Sequence, residues 1–223
     1  MSDIARYIDH TNLKPDASKE DIEKLCREAI EHQFFSVCVS GSRLELAHHL
    51  LENCDVQVGT VVGFPHGAID KDSKRYETEL AIDLGADEID MVMNIGRLKD
   101  RDTPYIVREI RDIVESAEGR IVKVILENCL LSNEEIRRAC NLVMDAQAHF
   151  VKTSTGFSTG GATVKHIKLM RETVKRNAGV KASGGIRDFN TAKAMIEAGA
   201  TRLGCSASVA IISGSESPMA LSE

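Results

Sequence analysis

The stretch that decides the fold and the chemistry of this chain is Phe150-Val151-Lys152-Thr153-Ser154-Thr155-Gly156. It begins as an apolar strand, carries a lysine in the middle and ends in a loop of small residues. The pattern recurs as Gly179-Val180-Lys181-Ala182-Ser183-Gly184-Gly185. Lysine is strongly hydrated and rarely fully buried, so these two stretches indicate one site built from neighbouring strand ends.

On both sides of these stretches, a strand followed by a helix is repeated along the chain. The predicted strands lie at 7–11, 35–39, 56–62, 88–93, 121–126, in the two lysine stretches and at 202–204. Ser18-x-x-Asp21 and Ser132-x-x-Glu135 resemble capping boxes, and a brief last helix is predicted at 206–212. Eight such units predict a single-domain α/β fold, a (β/α)₈ TIM barrel at 1–212 with a polar tail at 213–223. An open doubly wound sheet is less favoured, because no glycine-rich dinucleotide fingerprint follows the first strand.

The amino-acid composition limits the classes of protein to which this chain can belong. A chain of 223 residues with 43% hydrophobic content can bury one full core. A net charge of -6 argues against nucleic acid or an anionic membrane as a general partner. No apolar run approaches the about 20 residues that span a bilayer. Six scattered cysteines without a C-x-x-C pair indicate reduced thiols and a cytoplasmic location. No metal-ligand spacing stands out, so neither a metal nor a cofactor is expected.

Strand alternation predicts which side chains face the barrel interior. If Lys152 points inward, the same parity places Asp90, Lys123 and Lys181 inside as well. A single strand lysine is more often a surface residue or half of an ion pair, but four interior charges exceed what packing requires. A poorly hydrated ammonium next to another ammonium loses its proton more easily. Lys152 is therefore the predicted nucleophile, with Lys181 lowering its pKa and Asp90 moving protons through a water.

Two glycine-containing loops carry a second signal. Gly184 and Gly185 follow the seventh strand, and Gly204-Cys205-Ser206 follows the eighth. Glycines allow backbone N–H groups to approach an anion, and these two loops are a recurrent phosphate site in TIM barrels. The alternative is that the glycines only form tight turns. We predict that Gly184, Gly185, Gly204 and Ser206 bind the phosphate of a sugar-phosphate substrate.

At these residues the sequence resembles the deoxyribose-phosphate aldolases. The resemblance extends from Ile8 to about Ile212 and is carried by six segments: Ile8-Asp9-His10-Thr11, Gly63-Phe64-Pro65-His66-Gly67, Asp87-Glu88-Ile89-Asp90-Met91-Val92, Val122-Lys123-Val124-Ile125-Leu126-Glu127, 150–157 and 180–187. It implies reversible cleavage of 2-deoxy-D-ribose 5-phosphate to D-glyceraldehyde 3-phosphate and acetaldehyde. It also implies Lys152 as the Schiff-base lysine, Lys181 and Asp90 as its proton-transfer partners, and a cytoplasmic homo-oligomer of deoxyribonucleotide catabolism.

The sequence departs from the usual family pattern at several positions, none of which is a proposed catalytic group. Ser40-Gly41 follows the second strand in place of a frequent Asn-Pro, and Cys205 stands where a small or hydroxyl residue is usual. The other departures are Asn12, Asn128 and Ala207-Ser208. They are expected to affect affinity more than the reaction.

Other interpretations stay open at this point. A barrel isomerase or epimerase would share the phosphate loops but use acid–base pairs, and a degenerate barrel would bind a sugar phosphate without turnover. A metal-dependent aldolase would lose activity with a chelator. Among single residues, His10 and His66 are predicted to be hydrogen-bonded structural histidines, Glu127 a partner of Lys123, and Lys74 a solvated or interface charge.

Overall fold

The computed structural model of the chain describes residues 4–214. Its eight strands are all parallel and form a closed barrel in sequence order. They are β1 Ile8–Asn12, β2 Ser36–Val39, β3 Gln57–Val62, β4 Glu88–Val92, β5 Ile121–Ile125, β6 Phe150–Lys152, β7 Gly179–Ser183 and β8 Arg202–Cys205. The predicted α/β barrel is confirmed, and the predicted strand bounds differ by a residue or two at their ends.

Helices follow the strands and cover the outside of the barrel. They are α1 Lys19–Glu31, α2 Leu44–Leu51, α3 Lys71–Asp83, α4 Ile95–Lys99, α5 Thr103–Ser116, α6 Asn133–Asp145, α7 Val164–Val174, α8 Phe189–Glu197 and α9 Ser208–Ser213. The short α4 was not predicted from the sequence. The last helix begins at Ser208 and not at residue 206, because β8 extends to Cys205 and the chain bends at Ser206 before the helix.

Local sequence signals explain where two of the longer helices begin. The Ser18 side chain accepts a hydrogen bond from the Asp21 backbone N–H, and the Asp21 carboxylate accepts one from the Ser18 backbone. Ser132 and Glu135 form the same reciprocal pair at the start of α6. Each box satisfies two backbone donors that a helix start leaves without partners. Both predicted capping boxes are confirmed.

The barrel interior is charged, whereas most barrels fill theirs with branched apolar side chains. Neighbouring strands pair Asp90 with Lys123 and Lys152 with Lys181. The buried charged side chains on the strands are Asp9, Glu88, Asp90, Lys123, Lys152, Lys181 and Arg202. The apolar core lies instead between the strands and the helices, where Val122, Val124 and Val151 are fully buried.

Arg202 supports the amino-terminal end of this interior. Its guanidinium donates to both carboxylate oxygens of Glu88 and to Asp9, and it lies 3.5 Å from the centroid of the Phe35 ring. Such planar, bidentate pairing suits arginine better than lysine. The sequence analysis did not identify Asp9 or Arg202 as part of the interior charge network.

The predicted polar tail begins at the end of the last helix. Ser213 closes α9, and the rest of the predicted tail, residues 215–223, lies outside the described residues. The division into 1–212 and 213–223 stays a prediction. Between residues 4 and 214, no helix is long and apolar enough to span a bilayer.

Candidate active site

Asp90, on β4, is the centre of the interior network. One carboxylate oxygen, Oδ1, accepts a hydrogen bond of 2.7 Å from Lys123. The other, Oδ2, accepts bonds of 2.7 Å from both Lys152 and Lys181. All four side chains are almost completely buried. The structure therefore brings together the three residues predicted to be catalytic and confirms the predicted interior position of Lys123 beside them.

The pKa of Lys152 is lowered from its ordinary value. Burial is the larger cause, since it penalises the charged ammonium, and the nearby Lys181 acts in the same direction. The Asp90 carboxylate opposes both. The sequence analysis expected a poorly hydrated pocket and a second ammonium, and both act here. Lys152 is thus the interior lysine whose surroundings favour the neutral amine.

The pKa of Lys181 is shifted in the opposite direction, although this residue is also almost completely buried. Burial alone would lower the pKa of Lys181, but the carboxylates of Asp9 and Asp90 outweigh burial and hold it above the ordinary value. Asp9 forms a close ion pair with the Lys181 ammonium. Lys181 therefore stays charged, while the surroundings of Lys152 beside it favour the neutral amine.

The carboxylate of Asp90 is held in its ionised form. Burial would raise the pKa of Asp90, but the ammonium groups of Lys123, Lys152 and Lys181 together hold it well below its ordinary value. Lys123 is itself shared with Glu88, whose carboxylate lies 2.7 Å from its Nζ. Opposite charges thus compensate one another through the whole interior, which is what makes their burial tolerable.

A cavity of about 530 Å³ opens at the carboxyl ends of the strands, and Lys152 lies in its wall. The same wall contains all four residues predicted to bind phosphate, Gly184, Gly185, Gly204 and Ser206. Further cationic side chains line it: Lys14, Lys24 and Arg187. Lys152 and the predicted anion site therefore share one cavity.

The loop after β7 is built for close approach of backbone groups. Gly184 and Gly185 have φ values of 84° and 81°, a left-handed region that favours glycine. A Cβ at Gly161 would lie 2.2 Å from the Gly184 carbonyl oxygen, so glycine is required there as well. Thr153 anchors this loop, because its hydroxyl donates to the Ser183 carbonyl and accepts from the Ser183 N–H, both at 3.0 Å.

Two of the weaker predictions on single residues are wrong. Lys74 is completely buried, and its ammonium donates to the carbonyls of Gly67 and Val92 and to the Glu109 carboxylate. It is therefore not a solvated or interface charge. Glu127 does not pair with Lys123; its carboxylate accepts hydrogen bonds from the backbone and hydroxyl of Thr155.

His10 and His66, both predicted to be structural, differ in burial. His10 is buried and hydrogen-bonded through both ring nitrogens, which confirms the structural prediction for this residue. His66 is exposed, and its predicted hydrogen bonding stays a prediction. Throughout residues 4–214, no group of three or more His, Cys, Asp or Glu side chains is arranged to hold a metal ion.

Comparison with known proteins decides the family. The model of the DeoC/LacD family aldolases matches residues 4–214. The chain belongs to this aldolase family. It is therefore an enzyme of the carbon–carbon lyase class, and the resemblance to deoxyribose-phosphate aldolases is confirmed.

Individual relatives agree with the family model. The deoxyribose-phosphate aldolase of Alkaliphilus oremlandii is 60% identical over 210 residues, which cover 94% of this chain and 95% of the relative. That of Exiguobacterium sibiricum is 58% identical over 215 residues, covering 96% and 97% of the two chains. Among solved structures, a putative deoxyribose-phosphate aldolase from Coccidioides immitis superposes with a TM-score of 0.95 at 39% identity, covering 96% of this chain and 86% of that one.

A further solved relative bears on assembly. The tetrameric deoxyribose phosphate aldolase from Aeropyrum pernix superposes with a TM-score of 0.90 at 32% identity and covers 96% of this chain and 91% of its own. Together with the other relatives, it shows that the aldolase fold extends over nearly the whole chain. Asp9 lies in a strand with three further polar residues, His10, Thr11 and Asn12, so no apolar pattern distinguished it in the sequence.

Proposed function

We propose that this enzyme reversibly cleaves 2-deoxy-D-ribose 5-phosphate to D-glyceraldehyde 3-phosphate and acetaldehyde through a Schiff base on Lys152. The observation that carries the proposal is the position of the Lys152 amine, which lies in the cavity wall and also contacts Asp90, the acceptor that Lys181 shares. The names of the relatives supply the substrate, and the cationic, glycine-lined cavity suits its phosphate.

The first half of the reaction forms the imine. The neutral amine of Lys152 attacks the aldehyde carbon of the open-chain sugar, and the carbinolamine loses its hydroxyl as water. Lys181, which is held charged, can supply the proton that this leaving hydroxyl needs, directly or through a water. The product is an iminium ion in which the lysine nitrogen carries the positive charge.

The second half breaks the carbon–carbon bond. The hydroxyl on the third sugar carbon loses its proton towards ionised Asp90 through a water, and the bond between the second and third carbons breaks. Its electron pair moves into the iminium, which becomes a neutral enamine, and D-glyceraldehyde 3-phosphate leaves. The proton held at Asp90 then passes through the water to the enamine carbon and gives an iminium ion. Addition of water to this iminium releases acetaldehyde, restores the neutral amine of Lys152 and returns a proton to Lys181.

The location, assembly and partners of the enzyme are proposed on the same basis. We infer a cytoplasmic enzyme, a location supported by the six free cysteines, four of which are buried as small core residues. We infer a homo-oligomer because a solved relative is tetrameric. Its partners are then the sugar phosphate and the aldehyde, with no nucleic acid or membrane among them.

Reductive trapping tests the proposal. Acetaldehyde and borohydride are added to the protein, and the modified peptide is identified by mass spectrometry. A permanent ethyl group on Lys152 is expected, with none on Lys152→Ala and unchanged labelling of Lys152 in the surface variant Lys193→Ala. A cleavage assay run with a chelator is expected to keep its rate. Cleavage without any adduct on Lys152, or cleavage that stops on chelation, would contradict the mechanism.

A further inference from the structure

His10 links three separate elements around the cavity. Its Nδ1 atom lies 2.8 Å from the hydroxyl oxygen of Ser208, the first residue of α9. Its Nε2 atom lies 2.9 Å from a carboxylate oxygen of Glu28 on α1. The ring is buried, yet His10 and Glu28 both line the cavity that contains Lys152. None of the chemical steps proposed above uses this histidine.

The positions of the hydrogens on the His10 ring follow from its hydrogen-bond partners. Burial lowers the pKa of His10, so the ring is neutral at neutral pH. An ionised carboxylate can only accept, which requires the ring hydrogen on Nε2, facing Glu28. Nδ1 is then an acceptor and takes a hydrogen bond from the Ser208 hydroxyl. The same hydroxyl lies 3.0 Å from the carbonyl oxygen of Cys205, so its single hydrogen is shared between these two acceptors.

These contacts lie on both sides of the loop that is proposed to bind phosphate. Cys205 and Ser208 stand on either side of Ser206, and Cys205 is also the barrel partner of His10 in the pairing of β8 with β1. The loop is thus attached to β1 twice, once through the strands and once through the imidazole. The Ser208 hydroxyl lies between His10 Nδ1 and the Cys205 carbonyl and thus ties the end of β8 to β1.

The position of His10 separates it from the catalytic amine. Along β1, Asp9 faces the interior and contacts Lys181, so alternation turns His10 to the opposite side, towards α1. The imidazole therefore contacts the phosphate loop and α1 but not the Lys152, Lys181 and Asp90 cluster. A change at His10 is expected to act on binding of the anion and not on imine chemistry.

We propose that His10, oriented by Glu28, is a positioning residue that holds the loop 204–206 in the conformation that binds the phosphate of the substrate. The inference rests on the proposed function, since it concerns the phosphate of that same substrate. It adds a determinant of specificity for phosphorylated over unphosphorylated sugars. Glu28 and Ser208 belong to the same unit, because each occupies one ring nitrogen.

Paired substrates test the proposal. KM and kcat are measured with 2-deoxy-D-ribose 5-phosphate and with 2-deoxy-D-ribose for His10→Gln, for Ser208→Ala and for the double variant. The loss of one buried hydrogen bond corresponds to about a tenfold rise in KM for the phosphorylated sugar. For the sugar without phosphate, kcat/KM is expected to stay within about twofold. The double variant is expected to match the single ones, because both remove the same coupled contact.

Control variants and a direct binding assay make the outcome decisive. His49→Gln, on the exposed side of α2, is expected to change neither substrate's constants. Should His10→Gln fail to fold, Ser208→Ala decides, since it removes a single oxygen. Equal losses with both sugars, or no loss with either, would overturn the positioning role.

The affinity for inorganic phosphate, measured by calorimetry, separates this inference from the proposed function. A weaker affinity in Ser208→Ala supports the role of His10 even where the wild type forms no imine, which would refute the proposed chemistry alone. An unchanged affinity, with imine trapping intact, overturns only the role of His10.

Discussion

The Nζ atoms of Lys152 and Lys181 lie at the same distance, 2.7 Å, from one oxygen of Asp90. Two ammonium groups at one acceptor repel each other, which favours the loss of a proton from one of them. Asp9 decides which one, because it pairs with Lys181 and not with Lys152. The difference in pKa between the two lysines thus depends on Asp9, a residue on β1.

Replacing Lys181 by leucine is expected to make Lys152 a poorer nucleophile at neutral pH. The change removes a positive charge that lowers the pKa of Lys152 and leaves the attraction of Asp90, which raises it. The fraction of neutral amine grows as the pH rises through this pKa. A pKa raised by one unit therefore moves the alkaline rise of the rate one pH unit higher and, at a pH below this pKa, lowers the rate about tenfold.

The measurement for Lys181→Leu is the pH profile of imine trapping with acetaldehyde, recorded from pH 5 to about 10. Lys193→Leu, a change on the surface of α8, is the control and is expected to keep the wild-type profile. A profile for Lys181→Leu that coincides with the wild type would show that the two charges are not coupled.

Asp90→Asn is expected to separate imine formation from turnover. The carboxylate raises the pKa of Lys152, so its loss lowers that pKa further and moves the rise of trapping to lower pH. Proton transfer to and from the sugar loses its acceptor, which corresponds to a fall in kcat of about 10²–10⁴-fold. Trapping and single-turnover cleavage are measured on the same preparation. Loss of both to the same extent would contradict a proton-transfer role.

Gly185→Ala tests the phosphate loop against a matched control in Gly119. Both glycines have positive φ, 81° and 84°, and a Cβ added at either meets no atom within 4 Å. Each alanine is therefore expected to cost about 1–2 kcal/mol of unfolding free energy through backbone strain alone. Gly185 lines the cavity, and Gly119 does not.

Kinetics then distinguish the two alanine variants. KM for 2-deoxy-D-ribose 5-phosphate is expected to rise about tenfold in Gly185→Ala, because the new methyl group keeps the phosphate from the backbone N–H groups. In Gly119→Ala it is expected to stay at the wild-type value. Equal KM values in the two variants would exclude Gly185 from the phosphate site.

Lys74→Met is expected to destabilise the fold strongly. Lys74 and Glu109 are both fully buried, and their charged groups lie 2.7 Å apart. Without the lysine, an uncompensated carboxylate stays buried, and breaking such a pair costs about 3–5 kcal/mol. Urea unfolding measures the loss. The exposed pair Lys193 and Glu197, 3.8 Å apart on α8, provides the control, Lys193→Met, for which a loss below about 1 kcal/mol is expected.

A compensating variant sharpens this prediction. Lys74→Met combined with Glu109→Met replaces both charges with apolar side chains and is expected to recover much of the lost stability. The recovery is expected to be incomplete, since the Asn94 backbone N–H also donates to Glu109. A double variant less stable than Lys74→Met would show that the pair is needed for more than mutual compensation of charge.

Several parts of the fold and of the site follow from local patterns in the sequence. The repeat of strand and helix, the capping boxes at Ser18 and Ser132, and the inward direction of Lys152 all depend on residues close together in the chain. The short α4 and the start of α9 were missed, because neither carries a periodic apolar face long enough to recognise. Lys74 was misread for a different reason: it lies on a helix, where a lysine is usually solvated.

What the sequence by itself determined is the identity and parity of the reactive groups, because side-chain alternation along a strand is a property of the covalent chain. What only the tertiary structure decided is the charge that each group carries. The carboxylate that keeps Lys181 charged comes from β1, and His10 meets Ser208 across 198 positions of sequence. A pKa depends on burial and on the distances to other charges, and neither exists until β8 closes the barrel against β1.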